Sequence, residues 1–588
     1  MIQTHFEAAN TKMVIYQLFV RLFGNKIKRN KFYGTIEENG CGKFDDITSV
    51  ALSELRNLGV SHIWYTGVIE HSTVTCYPNH GLAGDHPSIV KGRAGSPYAI
   101  RDYYDVAADL ANNIDTRLDE FSNLIKRTHR AKLKAIIDFV PNHVARSYHS
   151  DKKPPGMKDL GEEDRMDNFF SPDNNFLYLN NKQFVVPHDY IPLNGEVFDE
   201  PINAYYEFPA KVTGNDVYSE APSSNDWFET IKLNFGVDPN PPHHCYFDPI
   251  PNSWLKLLDI LLYWCKKGVD GFRCDMAEMV PAEFWEWIIP IVKTQFPQVI
   301  FIAEIYKPEI YINYLERGNF DYLYDKVGLY DTLFGLIKKT HNADDISICV
   351  SSVEKYSNKM LSFIENHDEE RIANAAAGGD LFLTVPAMII CATISQGPVM
   401  IYNGQEVGEA ADENVGFAGT RSRTSIFDYA SMPQHIKWMN DGKFDGALLN
   451  GEEKKLRSFY KQLLNFSLKS IAITKGSIYD LQYLNRHHQS EGYDERFIYS
   501  FLRYHNEECL LIIVNFNQTE SYNLSVKIPV DALSLMDIQD KTELTFVSVF
   551  DKKLKVKIAT SKLNVPMDRF SGLPLILAPK TGFILRIN

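Results

Sequence analysis

Apolar runs of strand length alternate with amphipathic runs of helix length along most of this chain. The spacing predicts strands at MVIYQLFV (13–20), SHIWYTGV (61–68), LKAIIDFV (133–140) and VDGFRCD (269–275). It predicts four more at VIFIAEIY (299–306), FDYLYDK (320–326), MLSFIEN (360–366) and VMIYNGQ (399–405). Helical spacing lies between most of them, at ALSELRNLG (51–59), TRLDEFSNLIKRTHR (116–130), PNSWLKLLDILLYWCKKG (251–268) and PAEFWEWIIPIVKTQF (281–296). The last opens with proline, a good residue for a first helical turn. Eight strands alternating with helices imply an α/β fold with a parallel sheet, and eight is the number that closes a TIM (β/α)8 barrel. An open doubly wound sheet is the alternative. Acidic residues at the far ends of several strands favour the barrel, whose sites gather at that face.

Two stretches break the alternation. Residues 144–230, after the third strand, are rich in Asn, Asp, Pro and Tyr and too long for a structureless loop, which predicts an inserted subdomain. From about residue 472 to 588 short alternating stretches such as RFIYSFLRYH, CLLIIVNFN and LTFVSVF predict a closing antiparallel β-sandwich. The barrel is then built from residues 1–143 and 231–471.

Composition narrows the partners. With 44% hydrophobic residues over 588, the chain can bury a large core and is not a disordered one. A net charge of -14, with no basic run, argues against a nucleic-acid surface. The first residues, MIQTHFEAANTK, lack a basic region followed by an apolar stretch, and no window is long and apolar enough to span a bilayer. The eight cysteines are scattered without metal-like spacing, and Cys274 sits inside a predicted strand, so reduced thiols and a cytoplasmic setting are expected, with a secreted or periplasmic one as the alternative if a leader has been removed.

Three short acidic stretches carry the candidate chemistry: GFRCD ending at Asp275, FIAEIY holding Glu304 and FIENHD ending at Asp368. A carboxylate after a buried apolar run is costly unless something requires it there. Side chains at i and i+2 share a strand face, so Arg273 and Asp275 point the same way and Arg273 can hold Asp275 ionised, as a carboxylate nucleophile requires. A lone Arg-x-Asp is equally an ion pair of a barrel core. Phe301, Ile302 and Ala303 precede Glu304, and apolar surroundings favour a protonated general acid. Asp368 follows His367, a pair suited to gripping sugar hydroxyls.

Together with DFVPNH (138–143) on the third strand, these motifs in this order resemble the α-amylase family, glycoside hydrolase family 13. GPVMIYNGQEVGE (397–409) resembles the family's stretch along the eighth strand, the insert its domain B and the β tail its domain C. The resemblance implies Asp275 as nucleophile, Glu304 as acid/base and Asp368 as transition-state stabiliser. It places Arg273, His143 and His367 around the sugar next to the scissile bond, Tyr98 of SPYAIRDYY as its aromatic platform and Asp102 as a further binding residue. Asn234 of IKLNFG matches a weaker motif.

Departures from the commonest pattern bear on substrate. Ser96-Pro97 replaces a frequent His-Gly, and Glu278-Met279 stands where starch-cleaving members often carry Lys-His, which puts acceptor-side binding and chain length in doubt. Asn142 matches a frequent Ca2+ ligand, but calcium takes six to eight oxygens and the loop ENGCGKFDD is not an Asp-rich metal loop, so no metal or other cofactor is required by this reading and Ca2+ near Asn142 stays open as an alternative. The expectation is a retaining hydrolase of α-1,4-glucosidic bonds in starch-type glucans or maltooligosaccharides, with its two carboxylates about 5–5.5 Å apart. Transglycosylation, and cleavage of α-1,6 links or short oligosaccharides, are the alternatives. An inactive binding or transporter-associated subunit is disfavoured by the complete set of carboxylates. A monomer is the default, and the insert suits a sugar wall and a solvated module equally.

Overall fold

All eight predicted barrel strands are present in the computed structural model, which describes residues 12–196, 203–417, 422–487, 491–564 and 571–588. The reading of the first eleven residues lies outside the described ones. The strands are β1 (Val14–Phe19), β2 (His62–Thr66), β3 (Lys134–Phe139), β4 (Gly271–Cys274), β5 (Ile300–Ala303), β6 (Tyr322–Tyr324), β7 (Met360–Leu361) and β8 (Val399–Tyr402). Each pairs in parallel with its neighbour in chain order, and β1 pairs with β8. The ring closes through the bridge between Ser362 and Val399, where Ser362 N donates to Pro398 O at 3.0 Å and Met400 N to Ser362 O at 2.9 Å. An open sheet is excluded by that closure. Helices α1 (Ser49–Leu58), α2 (Arg117–Arg130), α3 (Asn252–Lys266) and α4 (Ala282–Gln295) occupy the predicted runs, and α4 starts one residue after Pro281.

The barrel interior is layered by the two-residue period of its strands. Ile15, Ile136, Ile302, Leu361 and Met400 form an apolar floor with Trp64, Tyr324 and Phe363. One step further along the same strand faces stand Gln17, Asp138, Arg273 and Glu304, all buried. Inward positions thus change from apolar to ionic toward the C-terminal ends. β7 is shorter than its apolar run suggests, because residues beyond Ser362 leave the sheet toward the barrel mouth, where Arg371 Nη1 donates to Glu365 Oε2 at 3.0 Å.

The insert leaves the barrel along His143–Ala145 and returns antiparallel along Thr230–Lys232. Its own small core gathers Leu177, Leu179, Phe184, Val212 and Phe228. The C-terminal unit is an antiparallel six-stranded sheet from Ser477 to Ile587, faced by a two-stranded sheet of Tyr522–Val526 and Leu573–Leu577. Buried Arg503 ties this unit to the barrel by donating to the carbonyls of Ile394, Ala472, Ile473 and Gly476.

Truncating the floor should be costly, because the site above it rests on close-packed side chains. Ile136→Ala is expected to cost about 2–5 kcal/mol by transfer and cavity terms. The thermal midpoint measures this, and an unchanged midpoint would show that the floor is not tightly packed.

Candidate active site

The site is built on adjacent strand ends. In the β3–β4–β5 ladder Arg273 lies opposite Asp138 on one side and Ile302 on the other. Two residues below it stands Gly271, where Ile300 takes the space of a side chain, since a Cβ there would lie 2.6 Å from Ile300 Cγ1. The ladder continues past the strands: Asp275 N donates to Phe139 O at 2.9 Å and Glu304 N to Cys274 O at 3.1 Å. Both carboxylates are therefore carried on backbone held by neighbouring strands.

Arg273 is the hub. Its Nη1 donates to Asp275 Oδ1 at 2.6 Å and lies 3.7 Å from Asp138 Oδ1, and its Nη2 lies 2.6 Å from Glu304 Oε1. Nε donates to the Tyr324 hydroxyl at 3.2 Å. The guanidinium is 1% exposed and ringed by Trp64, Tyr98 and Tyr324, with centroids 5.3, 5.3 and 5.5 Å from Cζ. Such a charge is held in a buried site only by charged partners of this kind.

Burial pushes the Asp275 carboxyl well up, the nearby charge of Glu304 adds to this, and Arg273 opposes it. Burial likewise lifts Asp138 to about 7 against the pull of Arg273. Both histidines are driven down to about 3, chiefly by burial and then by neighbouring cations, Lys232 and Lys91 for His143 and Arg273 for His367. They are neutral near pH 7 and act as hydrogen-bonding groups rather than charges.

His367 is fixed from two sides. Gln17 Nε2 lies 2.7 Å from its Nδ1, which makes that nitrogen an acceptor and leaves Nε2 to donate. Nε2 lies 2.5 Å from the Tyr98 hydroxyl and 3.1 Å from Asp368 Oδ2. The Tyr98 hydroxyl in turn reaches Asp138 Oδ1 at 3.4 Å. Asn366 Oδ1 accepts from Asp368 N at 2.8 Å, which sets the loop bearing this third carboxylate.

The cleft above this network, about 270 Å3, is lined by Tyr98, His143, Asp275, Glu304 and Asp368, which the sequence singles out. Arg273 and His367 stand behind that wall, buried, and touch it through Asp275, Glu304, Tyr98 and Asp368. Asp102 is elsewhere. It is 1% exposed and accepts from Ser150 Oγ at 2.6 Å and Lys152 N at 3.0 Å, so it tethers the start of the insert rather than facing the cleft. Asn234 is similarly internal, donating to Ser171 O and Asn174 O at 2.8 Å. A larger cavity of about 320 Å3 lies between the barrel and the C-terminal unit and holds none of the motif carboxylates, so size does not mark this site.

Sequence reading missed several wall residues: Lys91, Trp227, Glu229, Met276, Tyr306 and Phe427. Lys91 and Glu229 form a buried ion pair at 3.0 Å, and Trp227 packs 5.1 Å from the His143 ring. Met276 adopts a left-handed backbone (φ 43°, ψ 45°), uncommon for a side chain of its size, and its N–H donates to Glu304 Oε2, 2.8 Å away. Tyr306 was findable by the i,i+2 rule that pairs Arg273 with Asp275, because it stands two residues after Glu304. Met276 directly follows Asp275, and the others come from the insert and distant loops and carry no local signal.

With the geometry in place, likeness to known proteins is clear. The family model described as alpha amylase, catalytic domain, matches residues 19–220 and 251–441. Alpha-amylase 2 of Dictyoglomus thermophilum is 23% identical over 534 residues, 89% of this chain and 73% of that protein. A maltogenic alpha-amylase from Thermotoga neapolitana superposes with a TM-score of 0.58 at 17% identity, covering 98% of this chain and 99% of the other. The alpha-amylase of Geobacillus thermoleovorans, solved with acarbose, gives 0.58 at 17%, covering 99% and 98%.

Asp138 provides a pH signature. An unfolded Asp titrates near 3.9, whereas the native carboxyl titrates at about 7. Between those values the native state keeps a proton that the unfolded chain has released, so this group's contribution to stability is full below the window and lost as pH rises through it. Asp138→Asn removes the titration. The melting temperature of the variant relative to wild type is expected to rise from about pH 4 to about pH 7; parallel curves would show that Asp138 is ionised in the native state.

Proposed function

Because the chain belongs to the α-amylase family, enzymes acting on α-glucans, we propose that it is a retaining hydrolase of α-1,4-glucosidic bonds in starch-type glucans or maltooligosaccharides. The observation that carries this reading is the Arg273 guanidinium set between Asp275 and Glu304, 2.6 Å from each, beneath a cleft that Asp368 and Tyr98 also line.

In this reading Asp275 attacks the anomeric carbon while Glu304 gives its proton to the leaving glycosidic oxygen. The two roles support each other. Glu304 in its neutral, proton-carrying form no longer repels charge on Asp275, so the Arg273 guanidinium can hold Asp275 as the anion a nucleophile must be. Asp368, 41% exposed and braced by His367, faces the sugar hydroxyls. Neutral His143 and His367 offer hydrogen bonds without adding positive charge near a developing oxocarbenium ion. Glu304 then takes a proton from the water that resolves the glycosyl-enzyme ester, and the configuration is retained.

Transfer to a second sugar is the other reading, favoured by the apolar faces of Trp227, Tyr306 and Phe427, which stack a sugar ring as readily as they exclude water. A time course on maltoheptaose separates the two. Shorter products alone, absent in Asp275→Asn, are expected; longer products beside them would establish transfer, and no turnover by wild type would defeat the maltooligosaccharide assignment.

We propose that the residues around Asn142 make a poor calcium site. Its Oδ1 is buried without a partner, but its Nδ2 is committed to Gly214 O at 2.8 Å. On the neighbouring strand the Lys232 ammonium contacts Asp216 at 3.0 Å and Met279 O at 3.4 Å. No group of three His, Cys, Asp or Glu suited to a metal stands together among the described residues. Asn142 Oδ1 supplies a single side-chain oxygen, whereas calcium takes six to eight oxygens. The melting temperature is therefore expected to be the same in EDTA and in millimolar calcium; a rise with calcium would overturn this.

A further inference from the structure

Glu304 is held by more than Arg273. Its Oε1 accepts from the Tyr306 hydroxyl at 2.6 Å and its Oε2 from Met276 N at 2.8 Å. Tyr306 is itself set in place: its N–H donates to Glu278 Oε2 at 2.9 Å, and the Glu278 carboxylate, only 8% exposed, also lies 3.7 Å from Lys307. The residue that departs from the common pattern after the nucleophile thus turns inward, to the backbone that carries Tyr306, and not toward the cleft.

We propose that Tyr306 is a positioning residue for the acid/base, and that Glu278 sets it by anchoring its backbone. This rests on the retaining reading above. A hydroxyl donating to Oε1 favours the carboxylate form of Glu304, which eases release of its proton to the leaving oxygen, and it fixes the plane of the carboxyl group against rotation. The other groups facing Glu304 are Arg273, Asp275, Asp138, Tyr324 and His367. Of these only Arg273 is a cation near neutral pH, so Tyr306 and the Met276 N–H supply the remaining stabilisation of the anion. Burial and the Glu304 charge push the Tyr306 phenol well above its usual range, so it remains a donor throughout the working pH. As a Tyr two residues after Glu304, it also belongs to the cleft wall.

The test compares substrates that do and do not need the acid. With maltooligosaccharides the C1–O bond breaks as Glu304 protonates the departing oxygen. With α-maltosyl fluoride the C1–F bond breaks and fluoride leaves as an anion with little need of a proton, while the Asp275–C1 bond forms in both cases. Tyr306→Phe is expected to lower kcat/KM on maltoheptaose on the order of ten-fold, mainly through kcat, and to leave kcat/KM on the fluoride nearly unchanged. The alkaline limb of the maltoheptaose pH profile, which reports the acid, should move to higher pH because the anion has lost a donor. Glu278→Ala should reproduce a smaller loss with the same substrate dependence, and Glu278→Gln, which keeps an acceptor oxygen, should restore it. Equal losses on both substrates with an unmoved limb in Tyr306→Phe and Glu278→Ala would overturn the proposal in favour of a structural role. If wild type cleaves neither substrate, the hydrolase reading itself falls and takes this inference with it.

Discussion

One buried guanidinium organises this molecule's site. Arg273 stands below the cleft among three carboxylates, those of Asp275, Glu304 and Asp138, and three aromatic rings. A cation removed from water is tolerable only with partners, and carboxylates removed from water are tolerable only with a cation. Each group in the cluster is therefore the condition for the others. Burial is what lifts Asp275 and Asp138, the surrounding negative charge adds to it, and the site thereby gains protons to move.

The barrel makes that cluster affordable by geometry. Parallel strands in register place the inward residues of β3, β4 and β5 side by side, and the apolar floor of Ile136, Ile302 and Met400 excludes water from beneath. Gly271 lets Ile300 and Ile136 close in beneath Arg273. Above, the walls come from segments far apart in the chain: Trp227 and Glu229 from the insert, Tyr98 from the connection after β2, Phe427 from the region after β8. At the site itself the backbone of Met276 is left-handed, one of several such positions along the chain.

The motifs were legible because strand periodicity is local. From Arg273 and Asp275 at i and i+2, from Glu304 after Phe301–Ala303, and from the eight apolar runs, a reader reaches the barrel, its acidic end and the α-amylase family. Asp102 shows the limit of carrying a motif over residue by residue: four positions from Tyr98, it faces Ser150 and Lys152 rather than the cleft. Glu278 shows the reverse, a departure whose partner, the Tyr306 backbone, lies on the next strand's loop.

By itself, then, the sequence determined the periodic elements, their α/β order and the identity of the acidic motifs, since each depends on residues within a few positions of one another. Only the tertiary structure decided which side chains share Arg273, which residues of the insert and distant loops wall the cleft, and that Tyr306 rather than Asp102 reaches the reacting groups. Those outcomes depend on strand register, ring closure and loop packing, which bring together residues such as Gln17 and His367, 350 positions apart. Long-range contacts of that kind leave no periodic trace in a single sequence.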